Sequence, residues 1–169
     1  MGKRVQPVLV ALFLAICVRS FGQADNQRPP FTIEIHLRQA TIKAGSPIVL
    51  DIQVINNSDT TRSISVSPGI RFAPGYYEST VLDDKNNAMA ETSYGQRMHG
   101  RGDDPKAIGG GSHFQAPIEP GGHLDQEYEL SRLYRITDPG IYTIQLRRND
   151  LLGGGKSVKS NVVVLTVTE

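Results

Sequence analysis

Apolar residues recur along most of this chain at every second position, the period of a strand with one face buried. Phe31, Ile33, Ile35 and Leu37 alternate with Thr32, Glu34, His36 and Arg38, and Ile48, Leu50, Ile52 and Val54 alternate with Val49, Asp51, Gln53 and Ile55. Ala44-Gly45-Ser46 makes a turn between these two runs, and Asn56-Asn57-Ser58-Asp59 ends the second with turn chemistry. Shorter runs predict strands over 62–66, 76–82 and 88–92, the last after the polar turn 83–87. Further strands are predicted over 113–118, over 124–130, through Tyr142, Ile144 and Leu146, and over 160–168. Ser131 to Ile136 breaks the alternation and predicts one helical turn. Seven or eight strands with no helix of usable length argue for a sandwich or barrel and against a βαβ sheet, and the expectation is an all-β antiparallel sandwich in a single domain, residues 31–169.

The first 30 residues follow other rules. Lys3 and Arg4 precede a continuously apolar run of 11 residues, Val8 to Val18, too short for the roughly 20 that a helix needs to cross a hydrocarbon core. Gly22 and Ala24 then supply a small-x-small pattern. The reading is a cleavable signal peptide over 1–24, followed by a short polar leader over 25–30 that ends in Pro29-Pro30. The expectation is export to periplasm, cell surface or medium, with no membrane span after cleavage. Cys17, the only cysteine, lies in the apolar run. Leu14-Ala15-Ile16-Cys17 resembles a lipoprotein cleavage box, but Ile16 stands where a small residue is expected.

Composition narrows the chemistry. After cleavage the domain has no thiol and no disulfide, and its 145 residues suffice to bury roughly 68–70% of the unfolded surface without one. Loss of Lys3, Arg4 and Arg19 leaves 15 basic against 17 acidic residues, a balance of −2. The basic residues are scattered among acidic ones, so a nucleic-acid partner is not expected.

Asp138-Pro139-Gly140-Ile141-Tyr142 resembles the tyrosine corner of immunoglobulin-like domains. The resemblance implies that Asp138, Gly140 and Tyr142 are structural, the Tyr142 hydroxyl bonding back to the backbone to fix the crossing between sheets. Ile144 stands where antibody-type domains carry a cysteine, and the chain has no tryptophan, so the likeness is to the wider bacterial immunoglobulin-like group. Pro120-Gly121-Gly122, Leu130 to Tyr134 and Pro139 to Tyr142 are also similar to the bacterial intracellular proteinase inhibitor family.

Candidate sites fall on loops. Residues 93–112 form a 20-residue interval rich in glycine that carries Arg97, His99, Arg101 and Asp103; it is either a binding loop or a partnerless insertion. Arg101-Gly102-Asp103 spells an integrin-type tripeptide. Leu151 and Leu152, in the glycine-rich connection 149–156, either form a small apolar contact surface or cap the core. His36, His99, His113 and His123 show no metal-ligand spacing, and Lys85 interrupts the acidic spacing of a calcium loop. No nucleophile elbow, phosphate loop or zincin helix appears. The expectation is therefore a non-catalytic binding or accessory module, without cofactor or metal, that recognises a protein or cell-surface polymer. The alternative is a secreted proteinase inhibitor.

Overall fold

The computed structural model describes residues 29–66, 76–101, 114–149 and 157–169. The expected signal peptide, most of the expected leader, Asp103, His113, Leu151 and Leu152 lie outside the described residues. Nine strands are present among the described residues: β1 (Phe31–Leu37), β2 (Thr41–Lys43), β3 (Val49–Asn56), β4 (Arg62–Val66), β5 (Glu78–Leu82), β6 (Phe114–Ile118), β7 (His123–Glu129), β8 (Gly140–Arg148) and β9 (Val158–Thr168). One helix, α1 (Ser93–Met98), precedes β6, and a 3-10 turn (Leu130–Arg132) follows β7.

The alternating pattern decides which way each strand faces. Phe31, Ile33 and Ile35 of β1 and Leu50, Ile52 and Val54 of β3 are buried, and the two strands pair antiparallel from Phe31 opposite Asn56 to Leu37 opposite Leu50. Fully burying one such side chain contributes about 1.5–3 kcal/mol. The long sheet runs β5-β8-β9-β1-β3-β7, with β2 attached to β9. Two pairings are parallel, β1 with β9 at Ile33–Ser160 and β2 with β9 from Thr41–Thr166 to Lys43–Thr168. The expected antiparallel sandwich is corrected at these two pairings. β2 has only three residues, too few for alternation to reveal it.

The two ends of this sheet meet. Tyr77 donates to Gln126 Oε1 at 2.5 Å and Tyr128 lies 3.1 Å from Ser79 Oγ, which ties β5 to β7 across the core. The Tyr134 hydroxyl donates to the Ser79 carbonyl at 2.7 Å, and the Tyr77 and Tyr128 rings meet edge to face at 6.0 Å. The sheet is therefore folded back on itself around one core, and β4 with β6 forms a second, two-stranded sheet that buries Ile64, Val66, Ala116 and Ile118. Asn56, fully buried, fastens this second sheet by donating to the carbonyls of Ile118 at 2.8 Å and Thr60 at 2.9 Å.

Two other expectations are corrected. Residues 88–92 form no strand; they make only isolated bridges, Leu82 with Ala88 and Glu91 with Tyr134. Thr92 instead caps α1, so the first part of the glycine-rich interval is a helix and not a loop. In β9 the buried positions change phase, from Val158 and Ser160 to Leu165 and Val167. A register shift opposite Gln145–Arg147 inserts an extra residue there. Asn161 sits at the shift and bonds both Ile35 backbone groups, at 2.8 and 3.0 Å. The shift turns Val162 and Val164 outward. At the corner before β8, the Tyr142 hydroxyl donates to the Asp138 carbonyl at 2.8 Å, and Gly140 packs beside the ring.

Candidate functional site: a cleft between the helix and the edge of the long sheet

The short helix owes its position to both of its ends. Thr92 Oγ1 accepts from the Gly95 amide at 3.0 Å and donates to the Arg132 carbonyl at 2.6 Å, fixing the N-terminus against the 3-10 turn. Gly95 lies so close to this turn that a Cβ there would stand 2.3 Å from the Leu133 carbonyl oxygen. At the other end Gly100, with φ +68, donates to Arg97 O at 3.0 Å and Arg101 donates to Gln96 O at 2.7 Å. That pair of bonds around a left-handed glycine is a Schellman stop. It leaves His99 as the C-cap, turned inward.

There His99 meets Glu91. The distance from Nδ1 to Glu91 Oε1 is 2.6 Å, and the two side chains are 7% and 12% exposed. A carboxylate only accepts, so Nδ1 carries the proton and donates. Arg101, 63% exposed, pairs with the same oxygen. His99 Nε2 is buried and has no hydrogen-bond partner among the described residues. Leaving a buried polar atom unmade costs about 1–3 kcal/mol, so a group aimed into this wall is one that a water, an ion or a ligand would satisfy.

His99 and Arg101 of this cluster, with Glu91 behind them, wall a cleft of about 890 Å³ whose far side is formed by the starts of β5 and β9 and the end of β8. Glu78 pairs with Arg147 and accepts from Asn149 Nδ2 at 2.8 Å. The Arg147 hydrogen bond holds the Glu78 carboxyl below the usual glutamate range, assisted by Asn149 and opposed by partial desolvation. Lys159 stands directly across from Arg147 and forms no ion pair among the described residues. Beneath them Arg148, fully buried, donates to the Ser65 carbonyl at 2.6 Å. Its guanidinium lies 4.7 Å over the Tyr76 ring and 5.2 Å over that of Tyr77, seating both tyrosines in the cleft wall.

Of the residues singled out in the sequence, the fold brings His99 and Arg101 to this cleft. Arg97 is exposed on α1 and does not line it. His36 is exposed on the outward face of β1, and His123 is exposed and lies 3.4 Å from Asp125. No group of three metal-ligating residues occurs among the described residues. The Asp83 carboxylate is occupied by its own turn, accepting from the amides of Lys85 at 2.9 Å and Asn87 at 2.7 Å. Glu78, Glu91, Arg147, Arg148 and Lys159 were missed. Arg148 was legible, because it continues the inward phase of Tyr142, Ile144 and Leu146. The partnership of Glu91 with His99 needed a helix that periodicity did not reveal.

The tyrosines that tie β5 to β7 make stability depend on alkaline pH. Burial pushes the Tyr128 phenol well above its ordinary value, and that of Tyr134 moves the same way for the same reason. With a folded pKa above the unfolded one, the stabilisation is whole below about pH 10 and drains as pH rises toward the folded value, by about 1.4 kcal/mol per pH unit for each fully shifted phenol. Tyrosinate absorbance followed with far-ultraviolet circular dichroism tests this: Tyr128 should ionise only as the sheet signal is lost. Complete ionisation in a folded protein would contradict it.

No family model matches the chain, and no curated protein matches it. Among solved structures the chain is similar to a CARDB domain from Pyrococcus furiosus in complex with di-metal ions, at TM-score 0.41 and 10% identity over 84% of this chain and 90% of that one. It is similar to Spo0M, a sporulation control protein from Bacillus subtilis, at TM-score 0.44 and 9% identity over 84% of this chain and 51% of that one. A β-glucosidase from Erythrobacter marinus matches at TM-score 0.42 and 12% identity over 82% of this chain, which is 15% of the enzyme. The fold described above rests on the chain's own strand order and registers.

Proposed function

We propose that this protein is an exported, non-catalytic binding module of the immunoglobulin-like, tyrosine-corner class, and that it holds its partner in the cleft between α1 and the β5–β8 edge. The observation that carries the reading is His99 in the cleft wall, which Glu91 holds from behind and whose Nε2 has no partner among the described residues. The basic start and short apolar run of the sequence support export. A scaffold of paired strands holds the wall rigid, and binding residues placed on rigid elements need little ordering when a ligand arrives. Ser79, which lines the cleft, has its Oγ engaged by Tyr128 and Tyr134 at 3.1 Å each.

Thr80 is exposed and lines the cleft, so Thr80→Trp fills the opening at a position where an aromatic residue suits a strand. Capture from the envelope and secreted fractions of the source organism is expected to fall at least tenfold for this variant, with an unchanged melting temperature. Equal capture by wild type and variant would eliminate the cleft. Stoichiometric inhibition of a protease by both proteins would replace this reading with the proteinase-inhibitor one.

A further inference from the structure

The described lining of the cleft carries more cations than anions. Arg101 lies on the helix side and Arg147 and Lys159 on the sheet side, and Glu78 is the one acidic residue in that described lining. Arg147 and Lys159 occupy directly paired positions on adjacent strands, where like charges repel and destabilise the pairing. Glu78 neutralises only Arg147, and Glu91 is shared by His99 and Arg101. An anion seated between Arg101 and the Arg147–Lys159 pair relieves that repulsion.

The same wall argues against a peptide added as a further strand. Three outward backbone groups of β5 and the residue after it are already engaged, Ser79 O by the Tyr134 hydroxyl, Val81 O by the Met89 amide, and the Asp83 amide by Asn87 O. Strand addition draws its affinity from such groups. Recognition in this cleft then falls largely to side chains, and beside the cations these are the hydroxyl of Thr80 and the amides of Gln145 and Asn149. Gln145 Nε2 donates to the Ser160 carbonyl at 2.9 Å and Asn149 Nδ2 to Glu78 at 2.8 Å, so their second N–H and their amide oxygens are the groups that would meet sugar hydroxyls.

We infer that the cleft binds an acidic saccharide, with a carboxylate held between Arg101 and the Arg147–Lys159 pair and the neighbouring hydroxyls met by Thr80, Gln145 and Asn149. A planar guanidinium matches a carboxylate with two parallel bonds. The inference rests on the cleft reading and adds the ligand's chemistry to it.

Titration calorimetry of the full protein with polygalacturonate, dextran sulfate and neutral dextran, on wild type, Lys159→Glu and Thr80→Trp, tests it. The expected result is binding of polygalacturonate that is lost with neutral dextran, weakened at least tenfold by Lys159→Glu, and weakened by added salt. Lys159 makes no ion pair among the described residues, so its reversal breaks none, and an unchanged melting temperature is expected for Lys159→Glu. Equal binding of neutral dextran, or affinity for dextran sulfate that exceeds that for polygalacturonate and survives Lys159→Glu, would overturn the carboxylate assignment. If no polymer binds while capture remains sensitive to Thr80→Trp, the saccharide is wrong and the cleft stands. Capture and polymer binding that both ignore Thr80→Trp would sink the two together.

Discussion

Gly95→Ala is expected to unseat α1 and to remove about 2 kcal/mol from the folding free energy. The added methyl would meet the Leu133 carbonyl oxygen at 2.3 Å, a backbone atom in a buried turn that has no flexible end to move aside. Overpacking of this kind costs about 1–3 kcal/mol, occasionally more, and outweighs the roughly 1 kcal/mol that alanine gains over glycine inside a helix. Displacement of α1 carries His99 away from Glu91, so binding should fall with stability. Gln96→Ala, at the adjacent exposed position, is the control and should change stability by less than about 0.5 kcal/mol. Urea unfolding with partner capture reads both quantities. Full stability in Gly95→Ala would show that the helix does not lie against the 3-10 turn.

Arg148→Met should be the more damaging substitution, at about 2–5 kcal/mol. Methionine fills much of the volume, but the Ser65 carbonyl loses its donor and two tyrosine rings lose the cation above them. A desolvated cation–π contact contributes about 2 kcal/mol, and a buried acceptor left unmade costs about 1–3 kcal/mol. Arg148→Lys keeps the charge without the planar fork, and should recover less than half of the loss. Because Tyr76 and Tyr77 line the cleft, binding is expected to weaken in the lysine variant even where it remains folded. Stability equal to wild type in Arg148→Met would mean that this guanidinium holds nothing in place.

These two residues show how much of the fold is legible in the sequence. Burial on one face of a strand imposes alternation, and alternation placed β1, β3, β7 and β8 close to their observed limits. A three-residue strand cannot display a period, so β2 stayed hidden. The helix was hidden differently. Ser93 to Met98 includes Gly95, which lowers helix propensity, and it lies among glycines that read as loop. Gly95 is there for close approach to Leu133, a tertiary requirement that no local pattern announces. The site was half legible for the same reason. His99 and Arg101 stood out by residue type, whereas Glu91, Glu78 and Lys159 come from separate strands and turns that only the folded sheet gathers. Strand register then gave Lys159 its meaning, because it sets two cations side by side.

Amide and imidazole chemical shifts of the labelled protein, recorded with and without its captured partner, locate recognition directly. The prediction is that changes gather on Thr80, His99, Gly100, Arg101, Arg147 and Lys159, with the His99 ring among the largest. Changes centred instead on the acidic groove around Asp51, Asp125 and Glu127, with the His99 ring unmoved, would contradict a binding site between the helix and the sheet edge.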